Sequence, residues 1–188
     1  MPIQILSPDQ IRLLGYLVLF LLVAPLFPFI YIVLRWRVDG DHEPGVGTYG
    51  ALLYFRTVSI LLLLAGAANL TYGWVSTTEV LPEMHRLSWG MFTGSAAFLL
   101  LHVALLRMHG PRPDLVAARR VFLGFLLVLC GLVAFTALVL LCITLFEKVD
   151  KAKEVERRID DLKIYGSWAG FYLAAYVTTL LLLRRRAA

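Results

Sequence analysis

Histidine, serine and cysteine are the residues of this chain that could carry chemistry. Only one of the four histidines, His102, lies inside a long apolar run, and His109 follows seven residues later on nearly the same helical face. His42 lies in an acidic loop. These three histidines could supply ligands to a metal ion or a haem iron. Their spacing matches no established ligand motif and the loop composition is typical of a polar turn, so no cofactor is predicted.

Covalent catalysis has little support in the sequence. Ser95 and His102 are seven residues apart, which places them about 10 Å apart along one helix, beyond hydrogen-bond reach. Cys130 and Cys142 lie in one apolar run about 18 Å apart, so they cannot form a disulfide with each other. We therefore do not expect an enzyme.

Five apolar runs define the class of the protein. Each is long enough to cross a hydrocarbon core, which takes about 20 helical residues. Hydrophobic residues make up 60% of the 188 residues and charged residues 16%, against about 45–50% and about 25% in soluble domains. We predict an all-α bundle of five transmembrane helices forming a single membrane domain, residues 1–188. The predicted helices are approximately 8–34, 51–74, 82–108, 115–146 extending to about 160, and 164–183.

Two local features modify these helices. Pro25 and Pro28 lie near the middle of the first run and predict a kink, because each removes a backbone donor and crowds the preceding turn. The segment Glu147–Lys163 carries six acids and six bases, with a narrow apolar stripe at helical spacing. We predict that it forms a charged helical extension of the fourth helix, outside the membrane, and that it does not bind nucleic acid.

Basic residues indicate the orientation. Ten of the eighteen lysines and arginines fall on one side of the predicted topology, including the Arg184-Arg185-Arg186 tail. The positive-inside rule then predicts an external N-terminus and a cytoplasmic C-terminus, in a bacterial inner membrane.

Small residues at four-residue spacing are the strongest motif in the chain. Such stripes let two helix backbones approach closely. They occur in the fifth and third runs, at Gly166, Gly170, Ala174 and Thr178, and at Gly90, Gly94 and Ala97. Because the two glycine pairs match in depth and polarity, we expect them to meet in a direct crossing. Homo-oligomerisation or docking of a partner helix is the alternative use.

Three functions remain open. The first is a non-catalytic membrane subunit or scaffold, in contact with lipid and with other membrane subunits or a second copy of itself. The second is a small channel or carrier with a lining from Asn69, Thr93, Ser95 and Thr136. In the first case, Asn69 would instead form a hydrogen bond across a helix contact. The third is a redox subunit that binds haem or quinone at His102.

Overall fold

The computed structural model describes residues 19–20, 22–39, 46–76, 82–108, 116–147 and 152–184. In this part of the chain there are five α-helices and no β-strand. The helices are α1 (Leu26–Asp39), α2 (Val46–Val75), α3 (Pro82–Met108), α4 (Val116–Phe146) and α5 (Ala152–Arg184). The predicted all-α class is confirmed.

Helices α2 to α5 are each long and apolar enough to cross a membrane. The chain therefore has the architecture of a multi-pass membrane protein. Residues 8–18 of the first predicted span lie outside the described residues, and the described helix α1 has 14 residues. A fifth membrane span, formed by the first apolar run, accordingly stays a prediction.

The predicted kink occurs at Pro25. The backbone forms a turn at Ala24 and Pro25, and α1 begins at the next residue. The Ala24 amide donates to the Phe20 carbonyl at 2.8 Å, and the Phe27 amide donates to the Ala24 carbonyl at 3.2 Å. Pro28 falls in the first turn of α1, where its missing N–H costs no helical hydrogen bond.

The structure of the charged segment differs from the predicted extension of the fourth helix. Helix α4 ends at Phe146, and the charged residues from Ala152 onward form the first turns of α5, so the segment does not extend the fourth helix to residue 160. Arg158 shows why. Its guanidinium donates to the carbonyl of Thr144, with Nε at 2.8 Å, and to that of Leu145. These carbonyls in the last turn of α4 lack helical donors, and the cation also complements the negative end of the helix dipole.

Two compact units can be distinguished within the chain. The first contains residues 1–62 and 94–122. Its core brings together α1, the first half of α2, the end of α3 and the start of α4. The buried members of this core are Ile32, Leu53, Ala118 and Phe122. The Tyr54 hydroxyl ties α2 to the chain before α1 by donating to the Leu22 carbonyl at 2.8 Å.

The second unit contains residues 63–93 and 123–188. In it the second half of α2 runs antiparallel to the start of α3. A Cβ added to Gly66 would lie 2.8 Å from the Phe92 amide nitrogen and 3.1 Å from the Ser88 carbonyl oxygen. Two backbones therefore nearly touch at Gly66, where only glycine leaves enough room.

Candidate functional site

An open groove runs along α5 in the second unit. It has a volume of about 560 Å³, within the range of about 300–1,000 Å³ that is usual for ligand sites. Seven of its lining residues come from α5 and one from α2. They are Leu162, Lys163, Gly166, Ser167, Gly170, Phe171, Ala174 and Thr71. Three members of the predicted small-residue stripe thus line one groove.

The groove has room at Gly166 and Gly170 because glycine has no side chain to fill it. A Cβ built on Gly170 meets no atom of the described structure within 4 Å, and Gly170 is exposed. At Gly166 the nearest atom to an added Cβ would be Leu141 Cδ1 of α4, at 3.6 Å, which is an ordinary contact. The space over Gly170 is therefore large enough for a neighbouring backbone.

Charge is balanced at the end of the groove nearest the start of α5. Lys163 Nζ lies 3.6 Å from Asp160 Oδ1, and the two side chains are only 18% and 10% exposed. The same carboxylate oxygen accepts a hydrogen bond from Ser76 Oγ at 3.3 Å. On the α2 side of the groove, the Thr71 hydroxyl donates to the Ala67 carbonyl of its own helix at 2.9 Å. The Lys163 and Asp160 charges therefore offset each other at this end of the groove.

The expected crossing of the two glycine pairs stays a prediction, and the described residues place no close neighbour over Gly90, Gly94 or Gly170. Added Cβ atoms on Gly90 and Gly94 meet nothing within 4 Å in the described structure, as at Gly170. Gly90, Gly94 and Ala97 are all exposed. The physical reason lies in α3, which turns a different face, that of Ser88 and Phe92, toward α2. The use of either stripe in contact with a partner stays a prediction.

Gly66 is the close contact that the sequence reasoning missed. It lies in Ala65-Gly66-Ala67-Ala68, four consecutive small residues in the middle of a span. Such a run indicates a close contact between helices. One further contact extends the same helix pair, since an added Cβ on Gly73 would lie 3.6 Å from His85 Nδ1.

Asn69 has the packing role that was expected of it. Its Oδ1 accepts a hydrogen bond from Trp168 Nε1 at 3.0 Å, which joins α2 to α5. The Trp168 ring stacks on Tyr172, with centroids 5.5 Å apart and an interplanar angle of 8°. The predicted hydrogen bond between helices is confirmed.

The other residues proposed for a polar lining differ in environment. Thr93 and Thr136 are exposed, and the Thr93 hydroxyl donates to the Trp89 carbonyl at 2.7 Å. Ser95 is buried. Thr178, at the far end of the α5 stripe, is exposed and donates to the Ala174 carbonyl. A channel or carrier lined by these residues stays a prediction.

His102 is buried in the first unit, with only 5% of its surface exposed. Its Nδ1 lies 2.7 Å from the Phe98 carbonyl oxygen and donates to it, so in the neutral ring Nε2 keeps its lone pair. The rings of Phe98 and Phe55 flank the imidazole at centroid distances of 4.5 and 5.5 Å. His42 and His109 lie outside the described residues.

The surroundings of His102 bear on whether it could hold a metal ion or a haem. In the part of the chain that the structure describes, no three histidine, cysteine or acidic residues are grouped so that they could hold a metal ion. Cys130 is buried, Cys142 is exposed, and both are free thiols, as their spacing predicted. Any metal or haem site at His102 would therefore need ligands from elsewhere.

No protein-family model matches this sequence, and no curated protein or solved structure shows significant similarity to it. The fold by itself defines a class, that of multi-pass α-helical membrane proteins. Because a fold does not determine a function, the α5 groove and the residues around it are the basis for a functional proposal.

Proposed function

We propose that this protein is a non-catalytic membrane subunit or scaffold that packs against other membrane-spanning helices. The observation that carries the proposal is the exposed groove over Gly166, Gly170 and Ala174. Without a hydrophobic driving force in lipid, helices associate through close van der Waals packing, and small residues make that packing possible. A helix from another membrane segment can pack into a groove of this kind.

The proposed setting is a bacterial inner membrane, with the N-terminus outside and the C-terminus in the cytoplasm. The asymmetry of lysine and arginine supports this orientation. It requires an odd number of spans, as in the predicted five, since the termini then lie on opposite sides.

Replacement of Gly170 by leucine tests the proposal. The added side chain meets no described atom of the same chain at its Cβ, so the fold should tolerate it while the groove is blocked. We expect the native assembly, extracted in its own lipids, to be larger than the 21.1 kDa chain and to dissociate in Gly170→Leu. Overpacking of about 1–3 kcal/mol would be the cause.

Leu181→Ile is the matched control, because it keeps side-chain volume near the other end of α5 and should leave the assembly intact. A wild-type chain that is monomeric in native lipid, or an assembly indifferent to Gly170→Leu, would contradict the proposal.

His102 favours a second candidate, a redox subunit that shares a cofactor with a partner. Because Nδ1 donates to the Phe98 carbonyl, Nε2 is the ring nitrogen left to bind a metal, as in metal-bound histidines whose other nitrogen donates to a backbone carbonyl. The visible spectrum of the purified complex tests this candidate, since a haem absorption band that is lost in His102→Ala would support it and a featureless spectrum would not.

A further inference from the structure

Four arginines from three helices lie at one end of the first unit. Each is within three residues of a side chain in the hydrophobic cluster that packs α2, α3 and α4 together, so each lies within about 4.5 Å of that cluster along its own helix axis. The cluster side chains concerned are Leu53, Leu106 and Ala118. We call the four arginines the arginine rim: Arg56 of α2, Arg107 of α3, and Arg119 and Arg120 of α4.

Three members of the arginine rim lie where two apolar spans end. The span of α3 ends at Met108, one residue after Arg107. The span of α4 begins at Ala118, immediately before Arg119 and Arg120. Phospholipid headgroups occupy the two boundaries of the hydrocarbon core, so a rim at this depth lies beside lipid phosphates once the protein is inserted.

Arg56 reaches the same level, although it lies inside the α2 span Thr48–Val75. Its neighbour Phe55 contacts His102 of α3, with ring centroids 5.5 Å apart. His102 is six residues before the end of the α3 span, which corresponds to about 9 Å along the helix. Arg56 is therefore about two helical turns from the headgroups, and its long side chain can extend toward them.

Positive charge in this unit is carried by arginine alone and exceeds the negative charge. Residues 1–62 and 94–122 contain eight arginines, no lysine and five acidic residues. Whichever ion pairs form, an excess of three positive charges remains in the unit. The rest of the chain has ten lysines and arginines against eight acidic residues, so it has no negative charge in excess to supply. The anion that balances the excess must come from outside the chain.

Helix α4 adds to the attraction for an anion. Arg119 and Arg120 are its fourth and fifth residues, and its first turn contains no acidic residue. The first backbone N–H groups of a helix lack helical acceptors, and the helix dipole is positive at that end. The two cations oppose this dipole, whereas an anion held beside them is stabilised by the guanidinium groups and by the helix end together.

We infer that the arginine rim binds the headgroup of an anionic phospholipid, with guanidinium groups paired to its phosphate oxygens. Arginine suits this ligand because its planar set of donors matches a phosphate in bidentate geometry. The headgroup has to be anionic overall, since the choline of a zwitterionic lipid offsets the charge of its own phosphate. Basic pockets between membrane helices bind anionic headgroups in this way. The site is separate from the α5 groove.

Native mass spectrometry of the full chain in a non-ionic detergent tests the site. Titration with phosphatidylglycerol, and separately with phosphatidylcholine, gives a dissociation constant for the first lipid bound. We expect tighter binding of phosphatidylglycerol. Each arginine near a headgroup contributes about fivefold to affinity, so Arg107→Gln should weaken phosphatidylglycerol binding by about that factor. Arg107 is exposed, so its replacement leaves the helix packing intact. Arg56→Gln should have an effect of similar size, partly restored in Arg56→Lys.

Arg157→Gln is the matched control. It removes the same charge from a side chain that is 85% exposed and already paired with Asp161 at 3.9 Å, in the second unit. This variant should bind phosphatidylglycerol as the wild type does. Equal affinity of the wild type for the two lipids, or an Arg107→Gln variant that binds no more weakly than Arg157→Gln, would overturn the inference. Displacement of phosphatidylglycerol by inorganic phosphate would also overturn it, because the site would then take a free phosphate.

Discussion

Gly66 provides the sharpest test of the packing in this protein. A methyl group at this position would lie 2.8 Å from the Phe92 nitrogen and 3.1 Å from the Ser88 oxygen, both backbone atoms. Non-bonded heavy atoms prefer separations of about 3.5–4.0 Å, so α2 and α3 would have to move apart by several tenths of an ångström. No rotation of a side chain can relieve a clash with backbone.

The magnitude follows from two opposing effects of Gly66→Ala. Overpacking costs about 1–3 kcal/mol. Alanine also favours the helix over glycine by about 1 kcal/mol. Gly90→Ala is the matched control, because Gly90 also lies inside a helix but an added Cβ meets no described atom within 4 Å. The helix-propensity gain is common to both variants, so Gly66→Ala should be less stable than Gly90→Ala by about 1–3 kcal/mol.

Unfolding in mixed detergent micelles with increasing dodecyl sulfate, followed by tryptophan fluorescence, measures this difference. The signal is suitable because Trp168 is held between α2 and α5 by its hydrogen bond to Asn69. Should the two variants unfold within about 0.5 kcal/mol of each other, as substitutions at open sites do, the close approach at Gly66 would be refuted.

Three further predictions follow from the contacts between helices and from the topology. Arg158→Met removes the donors to the last carbonyls of α4, so hydrogen exchange should quicken in the last turn of that helix, whereas unchanged exchange would show that the cap is dispensable. A double-mutant cycle with Asn69→Ala and Trp168→Phe should give a coupling free energy of about 0.6 kcal/mol, up to about 1.7, and zero coupling would mean that the hydrogen bond does not stabilise the fold. Cysteines placed at Gln4 and Ala188 should be labelled from opposite sides of the membrane; labelling from the same side would require an even number of spans.

The candidate site was predicted from sequence only in part. The spacing of Gly166, Gly170 and Ala174 identified one wall of the groove, because four-residue spacing puts residues on one helical face regardless of what lies around them. The contribution of Thr71 could not be predicted, since it depends on which face of α2 lies beside α5. The same limit applies to Trp168, whose hydrogen-bond partner lies 99 residues away in the chain.

Assignment of the charged segment failed for a related reason. Its helix-forming residues and apolar stripe are local properties, and they predicted a helix from Glu147 onward, whereas the helix in the structure begins at Ala152. They carry no information about whether that helix continues α4 or begins α5. Helix α4 ends at Phe146, and Arg158 of α5 donates to the carbonyls in the last turn of α4.

That this chain is helical and suited to a membrane can be read from its residues alone, because length, hydrophobicity and the need to satisfy backbone hydrogen bonds in lipid act on each segment separately. Which small residues are covered depends on how the helices pack. Gly66, Gly90 and Gly170 are all glycines within apolar helices, and although Gly66 lies in a run of small residues, the sequence does not say which helix packs against any of them. Gly66 lies against the backbone of α3, while Gly90 and Gly170 stay exposed. A glycine permits close approach at many positions, but the helix that approaches is selected by contacts that are distant along the chain.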